Sequence, residues 1–293
     1  MEQSARHINR KDRIGQPITS PKLAAAISSF YRKYDEANRL NTGAFQLEFA
    51  RTQELLKRFL PEPPATLLDV GGGPGAYSCW LAQLGYEVHL IDPVPSHIEQ
   101  AKSASQVQPD HPIASFTVGD ARQLEFGDAM ADAVLLLGPL YHLLERAERI
   151  VALREAYRTL KNGGLLFVAA ISRFACALDG VFSGWLNDPI FADIVRRDLQ
   201  DGRHRNPTDK IMYFTDSYFH RVEELEEEID EAGFVHQHTL AIEGPFGWLQ
   251  NFDEWWKDSA RRERLLEICR AIESEPSLIG ASAHILVVAR KDS

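Results

Sequence analysis

The stretch from Thr66 to Asp92 constrains the fold of this chain more than any other. It begins with an apolar run, Thr66-Leu67-Leu68-Asp69-Val70, and continues as Gly71-Gly72-Gly73-Pro74-Gly75-Ala76. An apolar run bounded by glycines, too short for a helix, predicts a buried parallel strand. The glycines let the backbone turn sharply and approach a ligand without a Cβ in the way. Tyr77 to Leu84 alternates apolar and small residues at helical spacing and stops at Gly85, a capping residue. A second apolar strand, Tyr86 to Ile91, ends in Asp92, about 20 residues after the first glycine, where a carboxylate can accept both hydroxyls of a ribose. The whole reads as a β-loop-α-β crossover that holds a nucleoside.

Two cofactor classes use this geometry. Gly71, Gly73 and Ala76 satisfy the dinucleotide pattern G-x-G-x-x-G/A, whose helix N-terminus receives a pyrophosphate. Asp69, two residues before Gly71, argues otherwise, because a carboxylate there repels a pyrophosphate but helps order a loop facing a cationic ligand. The series Leu67-Leu68-Asp69-Val70-Gly71-Gly72-Gly73-Pro74-Gly75 closely resembles motif I of the class I S-adenosylmethionine-dependent methyltransferases. That resemblance implies a Rossmann-like, doubly wound sheet of seven strands, mostly parallel with an antiparallel last strand. It also implies S-adenosylmethionine as cofactor. Gly71, Gly72 and Gly73 would curl around the methionine part, Asp92 would hold the ribose, and Asp69 and Pro93 flank them.

Composition narrows the partners. With 32 basic and 42 acidic residues the formal charge is −10, which disfavours a nucleic-acid partner, since phosphate binding needs a basic face. Cys79, Cys176 and Cys269 are odd in number and widely spaced, so neither a disulfide framework nor a zinc site is indicated. His236 and His238 share a strand face with no carboxylate nearby in the sequence, and no metal is expected. Met1 to Arg13 is polar without an apolar core and no apolar run reaches membrane length, so a cytoplasmic protein without a signal peptide is expected. The sequence leaves oligomeric state open.

Taken in order, residues 1–19 read as a loose tail and 20–62 as a helical cap, ended by Pro61, Pro63 and Pro64. The cap's second helix is expected to turn Phe45, Phe49, Leu55 or Leu56, and Phe59 inward. The methyltransferase domain follows from 63 to 293. By the resemblance a cap tyrosine reaches the methionine end, with Tyr31 and Tyr34 as candidates. A third strand, Ile113 to Val118, leads into Gly119-Asp120-Ala121, which resembles the family's adenine contact through the Asp120 carboxylate and the Ala121 backbone. A fourth, Ala131 to Leu137, precedes Gly138-Pro139-Leu140-Tyr141-His142. This segment resembles motif IV, whose backbone at Leu137 and Gly138 would approach the methionine amino group. A fifth strand, Leu165 to Ile171, and a sixth, Phe234 to Ile242, are separated by an aromatic insertion at about 172–218, read as a lid. A second irregular aromatic segment spans about 243–258, and the last strand runs from Ala283 to Ala289.

Ligands in open α/β sheets bind beyond the carboxyl ends of the strands, so Tyr141 and His142 lie where chemistry occurs. Histidine suits proton transfer near neutral pH, making His142 the first candidate base, with Tyr141 beside it and His220 of the lid second. Tyr31, Trp185, Tyr213, Tyr218 and Arg221 are the candidate acceptor pocket. The expected activity is methyl transfer to an oxygen or nitrogen of a small organic molecule. The competing readings are an NAD-dependent oxidoreductase and a non-catalytic S-adenosylmethionine-binding regulator.

Overall fold

The computed structural model describes residues 29–31 and 33–292. The tail and the start of the cap's first helix lie outside the described residues; residues 29–31 are helical. The frame is one seven-stranded sheet: β1 (Thr66–Val70), β2 (Glu87–Asp92), β3 (Ser115–Val118), β4 (Ala131–Leu136), β5 (Leu160–Ile171), β8 (Phe234–Ala241) and β9 (His284–Lys291). Its spatial order is β3-β2-β1-β4-β5-β9-β8. The first five strands run parallel, whereas β9 is antiparallel to both β5 and β8. The chain winds outward from β1 through β2 to β3 and then returns to β4 on the other side of β1. That reversal leaves a crevice beyond the carboxyl ends of β1 and β4, where such sheets bind ligands.

Alternation along β1 supplies both faces of the core. Leu68 and Val70 join the cluster packed beneath helices Arg146–Thr159 and Val222–Glu231, while Leu67 joins the cluster that includes Leu55, Leu56, Val88 and Phe167. A strand covered by helices on both sides has no polar face, and this is why the run looked continuously apolar. β3 starts later than its apolar run, at Ser115, because Ile113 is held outside the ladder, its N–H donating to Ser105 Oγ at 2.9 Å. β5 starts earlier, at Leu160, and pairs with β4 across a bulge between Ala131 and Ala133.

The segment 172–218 is more regular than a connection. It contains helices Ala175–Phe182 and Pro189–Asp201 and an antiparallel ribbon of β6 (Arg203–His204) with β7 (Ser217–Tyr218). Asp188 caps the second helix by accepting from the Ile190 N–H at 2.9 Å. The aromatic segment after β8 is a 3-10 turn, Gly244–Trp248, followed by a helix, Phe252–Lys257.

Helix Phe45–Phe59 differs from its aromatic stripe. Its buried residues are Leu47, Glu48, Arg51, Thr52, Leu55 and Leu56, whereas Phe45 is 38% exposed. The rotation follows from a charge that periodicity does not weigh. Arg51 is fully buried, donates to the carboxylate of Glu273 and to that of Glu54, and reaches the Ile242 carbonyl. A buried guanidinium is tolerated only with such partners, so their placement decides which helix face turns inward. Replacing it, as in Arg51→Met, leaves Glu273 without its buried partner. We expect a loss of about 3 kcal/mol, the low end for breaking a buried ion pair, measured as a shift of the urea-unfolding midpoint at unchanged slope.

Candidate functional site

The loop after β1 is shaped by backbone that only glycine adopts easily. Gly71 has φ +75°, and a Cβ there would come within 2.6 Å of the Pro139 ring, so the loops after β1 and β4 are in direct contact. Gly73 has φ +56° and the opposite surroundings: among the described residues its missing Cβ would meet only Glu36 Cγ, at 3.9 Å. Its bare backbone therefore faces open space. Asp69 supports the loop from below, accepting from the Ser78 hydroxyl at 2.6 Å, and burial raises its pKa to about 6. Asp69 lines only a small cavity under the loop, together with Gly72 and Leu137.

In front of the loop lies a cavity of about 170 Å³, walled by Gly71, Gly73, Asp92, Pro93, Asp120, Ala121, Gly138, Tyr141 and His142 among others. With Tyr31, ten candidate residues separated in sequence thus line one cavity. Asp92 is more engaged than its sequence position suggests. It accepts from the N–H of Gly73 at 2.9 Å and of Val94 at 2.8 Å, and His97 Nδ1 lies 3.1 Å away. A carboxylate offers about four lone-pair sites, so one rather than two remains for a ribose hydroxyl. The Asp120 carboxylate is bound by Arg122, whose Nε donates at 2.9 Å and which also reaches Glu148 at 2.7 Å.

His97 is the wall residue that sequence reasoning missed. It is 4% exposed, and its Nε2 has no hydrogen-bond partner among the described residues. Because a carboxylate only accepts, Nδ1 carries a proton toward Asp92, and Nε2 is the ring nitrogen left for the cavity. The signal was its place one turn into the helix that opens at Pro95, directly after Asp92. The bare face of Gly73 and the unpartnered buried nitrogens of His97 and His142 fit a nucleoside with polar edges.

His142 sits in the four-residue helix Pro139–His142 at the end of β4. Its Nε2 is 2.9 Å from the Tyr31 hydroxyl, and its Nδ1 is buried without a partner among the described residues. Burial lowers its pKa to about 4, against a weaker upward pull from Asp92. The ring is therefore neutral at pH 7, not poised near neutrality as its residue type suggested. Burial likewise holds the Tyr31 and Tyr141 hydroxyls well above their ordinary pKa.

A second cavity, of about 370 Å³, adjoins the first across Tyr31, Glu36 and Tyr141, which line both. Trp185 and Tyr213 of segment 172–218 line it, with Phe214, Cys176 and His204. Phe214 takes φ +63°, a conformation that bulky residues rarely adopt, with its carbonyl accepting from Asn206 Nδ2 at 2.8 Å. Tyr34 stands here, not at the first cavity, stacked on Phe30 with ring centroids 5.2 Å apart.

Three candidates line none of these three cavities. His220 is fully buried, its Nε2 3.4 Å from Glu228, because the bridge from Ser172 draws it beneath the sheet edge. It therefore cannot meet an acceptor as the second base. Tyr218 lies under the Arg149 guanidinium, 3.7 Å from the ring centre, and donates to Glu224. Arg221 is exposed at the start of helix Val222–Glu231, over the Phe174 ring.

Comparison with known proteins adds to this geometry. Residues 68–168 match the family described as "Methyltransferase domain". The chain is 37% identical over 108 residues to a 2-methyl-6-phytyl-1,4-hydroquinone methyltransferase of a Synechocystis species, covering 36% of this chain and 32% of that protein. It is 32% identical over 134 residues to a ubiquinone biosynthesis O-methyltransferase of a Methylobacterium species, covering 43% of this chain and 52% of that one. The matches thus span about a third to a half of these relatives' length. A solved structure from Thermotoga maritima, described as a possible histamine N-methyltransferase, superposes with a TM-score of 0.55 at 20% identity, over 92% of this chain and all of that one. At that identity the likeness is one of fold.

The open space beside Gly73 yields a direct test. Gly73→Val places a branched side chain in the first cavity, and it is expected to abolish binding of S-adenosylhomocysteine in a calorimetric titration. Unchanged affinity would remove this cavity from consideration.

Proposed function

The chain belongs to the class I S-adenosylmethionine-dependent methyltransferases, and on that premise we propose that it methylates a small aromatic hydroxyl compound held in the second cavity. The observation that carries this reading is the junction: a cavity at the glycine loop and an aromatic cavity meet at Tyr31, Glu36 and Tyr141. Flat aromatic walls at Trp185, Tyr213 and Phe214 suit a planar acceptor. Two relatives, a hydroquinone methyltransferase and an O-methyltransferase of ubiquinone biosynthesis, support an aromatic hydroxyl compound as acceptor. The net charge of −10 supports a small molecule over a nucleic acid.

When bound, S-adenosylmethionine supplies a sulfonium methyl as electrophile. What this chain contributes is placement and dryness. Tyr31 and Tyr141 orient the acceptor hydroxyl at the cavity junction, and the segment 172–218 with the cap keeps water out. His142, neutral at pH 7, takes the acceptor's proton through Nδ1 or through the Tyr31 hydroxyl on Nε2. Its low basicity suits an acceptor that loses its proton readily, as a phenol does, better than an aliphatic alcohol.

The cofactor is tested by thermal shift: S-adenosylhomocysteine is expected to raise the melting temperature and NAD to leave it unchanged. Stabilisation by NAD alone would favour an oxidoreductase. Cofactor binding without turnover of any phenolic acceptor would favour a non-catalytic binding protein. For the base, His142→Ala is expected to retain S-adenosylhomocysteine affinity while turnover falls by about two to four orders of magnitude. The acid limb of the wild-type rate profile is expected near pH 4, because His142 is protonated only below its lowered pKa of about 4. A limb centred on the ordinary histidine value of about 6.5 would overturn that assignment.

A further inference from the structure

His284 opens β9 at the floor shared by the second cavity and the small cavity under the glycine loop. Its Nδ1 donates to Glu243 Oε1 at 2.6 Å, and Glu48 Oε2 is 3.9 Å away. Glu243 is itself fixed, its other oxygen accepting from Ser282 Oγ at 2.9 Å and from the His284 N–H at 3.1 Å. Burial alone would favour the neutral ring, but Glu243 and Glu48 outweigh burial and the opposing charge of Arg39, raising the pKa to about 9. At pH 7 the ring therefore carries a proton on both nitrogens. The Nε2–H makes no hydrogen bond among the described residues.

The other cation on this floor, Arg39, has three of its five N–H donors turned onto carboxylates. Arg39 donates through Nε to Glu36 at 2.9 Å and through its two terminal nitrogens to Glu48 at 2.6 and 3.0 Å. The floor thus alternates cations and carboxylates within a few ångströms. Such a surface repels a simple anion and a simple cation alike, and suits a group bearing both charges. The wall opposite is the backbone of Gly71, Gly72 and Gly73, with Leu137 and Gly138.

We propose that His284 Nε2–H is the carboxylate anchor for a zwitterionic α-amino-acid group, the amino-acid end of the cofactor, held between β9 and the glycine loop. This rests on the cofactor reading above. It assigns a binding role to the strand that runs against the sheet, far in sequence from the glycine loop.

The test compares S-adenosylhomocysteine, which carries the amino-acid group, with 5′-methylthioadenosine, which lacks it. In calorimetric titrations, His284→Gln is expected to weaken S-adenosylhomocysteine by about tenfold, the loss of one charge-assisted hydrogen bond, and to leave methylthioadenosine unchanged. Unaltered S-adenosylhomocysteine affinity, or equal losses for both ligands, would overturn the proposal. Wild-type protein labelled with ¹⁵N-histidine gives a second readout that needs no variant. The His284 Nε2 resonance is expected to move with S-adenosylhomocysteine and not with methylthioadenosine; a resonance indifferent to both overturns the assignment. If wild type binds neither ligand, the cofactor reading fails, and this proposal falls with it.

Discussion

The contact between the loops after β1 and β4 is the constraint on which the rest depends. Gly71 touches the Pro139 ring with no room for a Cβ, so two strand ends that are neighbours in the sheet also seal against each other above it. The first cavity runs along that seal, lined by the glycine backbone, Asp92, His97 and His142, and it meets the aromatic cavity at Tyr141. Moving either loop would shift both cavities at once, because Tyr141 and His142 follow Pro139 by two and three residues. Close-packed interiors transmit such displacements rather than absorb them.

Charge does as much as packing to hold the accessory elements on this frame. Arg51 ties the cap helix to Glu273, and Arg149 ties helix Arg146–Thr159 to Glu228 on helix Val222–Glu231. The pair of Glu243 with His284 joins the end of β8 to the start of β9. The first two are buried and the third is partly so, and each needs its partner, since an unpaired charge in that setting is far costlier than the pair. These pairs specify which surfaces meet. They also explain why carboxylates crowd the floor of the cavities without making it a simple anion or cation site.

The frame was largely legible in the residues. The five parallel strands, the glycine loop, Asp92, the Gly119–Ala121 turn and the Tyr141-His142 turn all follow from local apolar runs and their spacing, and they do converge on one crevice. The antiparallel pairing of the last strand came from family resemblance, and the sheet carries it. What misled was side-chain identity taken without depth. Histidine near a strand end suggested a group titrating at neutral pH, yet desolvation lowers His142 to about 4. His220, Tyr218 and Arg221 follow one another in an aromatic, basic stretch that reads as a pocket. A bridge to Ser172 and a stack on Arg149 make structural supports of His220 and Tyr218, and Arg221 lies exposed over the Phe174 ring.

By itself, then, the sequence determined the order and type of the strands and the position of the nucleotide loop, because those depend on short-range periodicity and on glycine's freedom of φ. Tertiary structure alone decided which face of the cap helix is buried, which histidines stay neutral and which become cations, and that two cavities share a wall. These outcomes depend on groups between about 100 and 240 residues apart, such as Tyr31 with His142 and Glu48 with His284. Burial and Coulomb interactions act over distance in space, and no local pattern along the chain encodes that distance.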